Sequence, residues 1–133
     1  MRAALSPKRR PFSLGGEMDI YHGWCDLKPG VSDTAFADAF ARYMTHLKRE
    51  GKIESARLTR RKLGLGPKHL AEFHFMIETR DMAQLDAAFS FVARRTGEIE
   101  GEHHDVNSLV QNVTFALYRD FPDEVRKRGE EKF

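Results

Sequence analysis

Hydrophobic and polar positions alternate most clearly over Leu70–Thr79, where Phe73, Phe75 and Ile77 share one face at period two and Glu72, His74 and Met76 the other. This predicts the central strand of a small sheet, used on both sides. One side packs under helices, and the other carries a mixed polar and soft apolar set that soluble proteins seldom leave bare. Met18–Leu27 reads as a first strand, stopped by the Lys28-Pro29-Gly30 turn. Ser32 or Asp33 then caps a helix in which Phe36, Phe40, Tyr43 or Met44, and Leu47 recur at helical spacing, with Ala35 and Ala39 beside them and Gly51 at its end. Ile53–Lys62 alternates weakly and carries Arg57, Arg60, Arg61 and Lys62, as a protected edge strand does. Leu63-Gly64-Leu65-Gly66-Pro67 supplies the hairpin into the central strand.

Past Thr79 the order repeats. Met82, Leu85, Ala88, Phe89 and Val92 mark an amphipathic helix capped by Thr79 or Asp81 and ending near Gly97. Glu98 to Asp105 reads as a polar stretch, Val106 to Val110 as a short helical turn, and Asn112 to Arg119 as a last strand with Val113, Phe115 and Leu117 on one face. Phe121-Pro122 closes the sheet.

Two βαβ halves in succession predict a ferredoxin-like α+β sandwich, a four-stranded antiparallel sheet with both helices on one face. Strands one and three are expected to be central, adjacent and parallel, about 4.8 Å apart. Superposing Tyr21-His22-Gly23-Trp24 on Phe73-His74-Phe75-Met76 then makes His22 and His74 neighbours. If Phe73, Phe75, Ile77, Val113, Phe115 and Leu117 pack on the helices, Tyr21, Gly23 and Cys25 join them, the small Gly23 allowing close helix approach. The opposite face then carries Ile20, His22, Trp24, Glu72, His74, Met76, Thr114 and Tyr118, a set too aromatic for open water. Burying it against a second copy of the sheet would enclose a partly polar chamber between subunits.

Composition narrows the setting. With 133 residues, 41% of them hydrophobic and ten of them Phe, the chain supports one domain with a real core. Four of its 22 basic residues, Arg2, Lys8, Arg9 and Arg10, sit in the first 17 positions against one acid, Glu17. The net charge of +2 thus becomes −1 for the remainder. Residues 1–17 read as a disordered basic extension, with a second start at Met18; 18–122 as the folded domain; and 123–133 as a charged tail. Neither a membrane-length apolar run nor a secretory h-region appears, and the single cysteine, Cys25, excludes an intrachain disulfide, so a cytoplasmic protein is expected.

The element order, the Lys28-Pro29-Gly30 turn before the first helix and the aromatic second sheet face resemble the dimeric α/β-barrel superfamily over roughly Met18 to Pro122, which includes antibiotic-biosynthesis monooxygenases, EthD-like and NIPSNAP-like proteins. The resemblance implies a homodimer formed through the sheets, with a small apolar or aromatic ligand in each chamber. Its members range from cofactor-independent oxygenases and isomerases to haem-handling enzymes and proteins without known activity, so membership alone does not assign a reaction.

The candidate catalytic residues are His22 and His74, because a chamber histidine titrates near neutrality and can move a proton to or from a phenol or enol. Trp24, Glu72, Met76, Thr114 and Tyr118 would line the ligand site, and Glu72 or Asp26 would orient an imidazole. The functional expectation is therefore a homodimer acting on a small aromatic or enolisable substrate as a cofactor-independent oxygenase or isomerase. The alternatives are a structural or regulatory dimer whose interface is simply filled, and a single-stranded RNA-binding module with Tyr21, Phe73 and Phe75 turned outward. Glu72 and Glu78 in the central strand and a body at −1 speak against nucleic acid. Glu102-His103-His104-Asp105, with His22 or His74, offers metal-ligand types but matches no metal motif, so no metal is expected. Cys25 reads as a small core residue, and Gly64 and Gly66 as turn residues rather than a phosphate loop. With no haem motif, dinucleotide fingerprint or nucleophile elbow, no cofactor is expected.

Overall fold

The computed structural model describes residues 17–94 and 97–123. The basic lead up to residue 16 and the tail from 124 lie outside the described residues. In order, the elements are β1 (Asp19–Leu27), α1 (Asp33–Arg49), β2 (Ser55–Arg60), β3 (Phe73–Thr79), α2 (Met82–Ala93), α3 (Gly97–Asn107) and β4 (Val110–Arg119). One sheet runs β2-β3-β1-β4 with every neighbouring pair antiparallel. This is the ferredoxin-like α+β sandwich, with a third helix inserted before the last strand.

The two central strands are antiparallel, not parallel as the sequence reading has them. In a split βαβ unit the two strands joined by a crossover are parallel but not adjacent, because a strand of the other unit slots between them, reversed by the β2–β3 hairpin. His22 therefore opposes Met76 and His74 opposes Trp24. The histidines meet across the diagonal, within reach for ring side chains.

Local chemistry sets the helices. Ser32 Oγ accepts from the Ala35 amide at 3.2 Å, His46, Lys48 and Arg49 sit in the last turn of α1, and Gly51 at φ 72° turns the chain away. Phe36, Ala39, Phe40, Met44 and Leu47 form the stripe this helix buries. Phe36 meets Phe73 edge-on at 5.2 Å beside Cys25, and each such buried aromatic contributes on the order of 2–3 kcal/mol. Asp81 caps α2 by accepting from the Gln84 amide at 2.8 Å, and Gln84 reaches back to Glu54 at 2.8 Å.

Val110 already belongs to β4, and Glu98 to Asp105, which reads from the sequence as a polar stretch with a helical turn only from Val106, is itself helical in α3. Only two apolar residues in eleven conceal it, yet Ile99, Glu102, His103 and Val106 fall on one stripe. Ile99 is buried in the main core, Val106 packs on the second core cluster, and Glu102 reaches His46 of α1. Glu98 and Glu100 lie at the favourable positive end.

Phe73, Phe75, Ile77, Tyr21, Gly23 and Cys25 face the helices as expected. Gly23, however, makes room for a ring of the neighbouring strand rather than for a helix. On β4, Phe115 and Leu117 share this face but stay 56% and 49% exposed, because the helical layer covers the inner strands and stops short of this edge.

Candidate functional site

Chemistry gathers on both sides of the sheet. On the helix side a cavity of about 370 Å³ lies between the sheet and all three helices. Its floor is Tyr21, Cys25, Phe75 and Ile77; Phe36, Phe40 and Met44 of α1 and Leu85 and Ala88 of α2 form its apolar walls. Exposed Phe89, Val113 and Phe115 mark where it meets solvent.

A few polar groups interrupt that lining. Tyr43 comes from α1, and Glu100, His103 and Asn107 come from α3 at spacings of three and four, which bring them to one helix face. The Tyr43 and His103 rings lie 5.8 Å apart. Burial, then the electron-rich Tyr21, Glu102 and Glu100, pushes the Tyr43 phenol up to about 12, and burial also raises Tyr21. At neutral pH both phenols are protonated hydrogen-bond donors facing an apolar space. Burial and then Asp26 push the Cys25 thiol up to about 11, so it is a protonated core residue.

On the opposite face the sequence-predicted residues do assemble. Trp24 stacks on His74 at 4.5 Å with 4° between planes, His22 lies 5.8 Å from Trp24, and Tyr118 meets His22 edge-on at 4.9 Å. His22 Nδ1 and His74 Nε2 are 2.9 Å apart. Burial lowers the pKa of both imidazoles, and His22 further lowers that of His74. Met76 opposes His22, and Thr114 opposes Trp24 across β4. The two acids go elsewhere: Glu72 accepts from Arg60 Nε at 2.6 Å, while Asp26 accepts from the Glu72 amide and Asn112. Asp26 is held below the usual carboxylate range first by the Asn112 bond.

The run Glu102-His103-His104-Asp105 lies on the helical layer, across the sheet from His22 and His74, so these groups cannot share an ion. Instead His46, Glu98 and Glu102 bring one donor atom each within 4.8 Å. His46 is buried and its Nδ1 is already engaged with Glu102 Oε1 at 2.6 Å, while Glu98 is exposed. Tyr21, Phe73 and Phe75 face inward, opposite to the orientation that base stacking on them requires. No helix among the described residues is long and apolar enough to cross a membrane.

The family model described as "Family of unknown function (DUF6614)" matches residues 18–133. The chain belongs to that family. Comparison with curated proteins returns no match. Among solved structures, SnoaB from Streptomyces nogalater, described as a cofactor-independent oxygenase, aligns with TM-score 0.54 at 11% identity over 77% of this chain and 89% of its own. At3g17210 from Arabidopsis thaliana aligns with TM-score 0.59 at 10% identity, over 75% and 92%. A dimeric ferredoxin-like protein of unknown function from Jannaschia sp. CCS1 gives 0.55 at 13%, over 77% and 96%. At these identities the likeness is one of fold, and it agrees with the ferredoxin-like architecture.

The inner cavity has no counterpart in the sequence pattern, where Tyr43 reads as helix packing and Glu98 to Asp105, with His103, as a polar stretch. The spacing of Glu100, His103 and Asn107 was the available signal, masked by Gly97 and Gly101.

Proposed function

We propose that the chain forms a homodimer and that each subunit binds a small aromatic compound bearing a hydroxyl or enol group in the cavity between sheet and helices. The observation that carries this reading is the cavity itself: about 370 Å³, within the range of small-molecule sites, apolar in its walls and polar on one side at Tyr43 and His103. An aromatic body would lie among Phe40, Phe75 and Phe115, with its oxygen toward the polar side.

This arrangement supports proton transfer. His103 is the group to take or return a proton, and Tyr43, held protonated, would donate a hydrogen bond to the oxygen on which charge develops. An isomerase, or an oxygenase needing no cofactor, could begin with such a step. The dimeric description of the Jannaschia structure and the aromatic face around Trp24, half-buried among the described residues, support pairing through the sheets. Native mass spectrometry on gently purified protein tests both parts: the reading expects a dimer with a retained small mass or one that takes up 1-naphthol, and a monomer that binds nothing would refute it.

One observation favours a second reading. The 2.9 Å contact of His22 and His74, both favouring the neutral form, suits an acid–base pair in a chamber between two facing sheets, with Trp24, Met76, Thr114 and Tyr118 around the ligand. Loss of turnover in His22→Ala and His74→Ala with Tyr43→Phe and His103→Ala unaffected would select it. A dimer with no ligand on either face would leave the structural role.

A further inference from the structure

We infer that Gly23, a residue with no side chain, sets the depth of the cavity and thereby lets it admit fused-ring as well as single-ring aromatic ligands. The inference rests on the cavity reading above and deepens it.

Gly23 does not serve the backbone: among the described glycines the positive φ values fall at Gly30, Gly51, Gly64 and Gly97, not at Gly23. Its role is space. Leu58, Phe75, Gly23 and Phe115 stand in one row across all four strands on the helix side. A Cβ at position 23 would lie 2.0 Å from Phe75 Cζ and 2.5 Å from Cε1 and Cε2. The tip of the Phe75 ring thus occupies the place of the missing side chain, lying across β1 toward Phe115, whose ring centroid is 6.5 Å away.

Because the missing Cβ and the ring share the helix-facing side of the sheet, any side chain at 23 must lift the ring away from the strand. That direction leads into the cavity, whose wall residue Phe40 has its ring 5.4 Å from Phe75. Cavities of about 150 Å³ already hold a benzene ring. The present volume of about 370 Å³ is more than twice that, so the flattened Phe75 leaves room for two or three fused rings.

The test titrates phenol and 9-phenanthrol into wild type, Gly23→Ala, Phe75→Leu and the double variant, read by fluorescence or calorimetry. Wild type binds both. Gly23→Ala should weaken 9-phenanthrol about tenfold, the scale of overpacking a core, while phenol changes less than about twofold. The double variant, whose Leu lacks the clashing ring tip, should regain 9-phenanthrol binding. Equal binding of 9-phenanthrol by Gly23→Ala and wild type overturns the inference, as does a double variant that does not recover. Should Gly23→Ala alone fail to fold, a folded double variant with restored binding still supports it, and a double variant that also fails overturns it. A wild type that binds neither probe removes the cavity reading and this inference with it, a result distinguished by the wild-type titration alone.

Discussion

His22 Nδ1 and His74 Nε2 stand 2.9 Å apart under the flat face of Trp24, so one ring donates what the other accepts and at least one imidazole must be neutral. Burial lowers both pKa values, with His22 adding to the effect on His74. The native state therefore binds fewer protons than the unfolded chain just below the ordinary value of about 6.5. The stabilising contribution is complete above that value and is lost as pH falls through the lowered native values. Thermal melts from pH 8 to 5 should show a falling midpoint that flattens in His22→Phe; an identical slope in the variant would contradict this.

Tyr43 carries the opposite sign. Its folded-state value of about 12 exceeds the ordinary phenol value, so its contribution is complete below about pH 10 and is lost as pH rises toward 12. Ultraviolet titration should show one tyrosine ionising last, absent in Tyr43→Phe.

In the proposed chemistry, Tyr43→Phe and His103→Ala should each lower turnover of a hydroxylated aromatic substrate by roughly 10²-fold, the usual weight of one positioned donor or base. Affinity for 1-naphthol should fall far less. Unchanged rates in both variants would take these residues out of the mechanism.

His46 fastens α3, and with it the polar wall, to α1. Its ring is buried, bonds Glu102 at 2.6 Å and meets the Phe91 ring edge-on at 5.9 Å. His46→Leu strands a largely buried carboxylate and should cost about 2 kcal/mol. Hydrogen exchange should accelerate over Gly97–Asn107 more than over β1; uniform acceleration would count against a local anchor.

Trp24→Lys puts a charge at the centre of the proposed sheet-to-sheet interface. Sedimentation should show a monomer at concentrations where wild type is a dimer. A dimer of undiminished stability would move the interface elsewhere.

Much of this was legible in the sequence. Period-two alternation in Phe73–Ile77 and the helical stripe from Phe36 to Leu47 located β3 and α1, because each buries one regular face, although β3 begins at Phe73 rather than Leu70. The outer cluster of His22, Trp24, His74 and Tyr118 followed from face assignment, which survives a reversal of strand direction. Direction itself was misread, since periodicity is blind to it. α3 was missed because its burial rests on Ile99, Val106 and a His46–Glu102 contact 56 residues apart in sequence. The cavity is hidden for a different reason: a void is where side chains fail to meet, and no sequence pattern records that.

Chemical-shift mapping of isotope-labelled protein during titration with 1-naphthol tests the central claim most directly. The account predicts saturable shifts at Tyr21, Tyr43, Phe75, His103 and Val106. Shifts confined to His22, Trp24, His74 and Tyr118, or none that saturate, would contradict it.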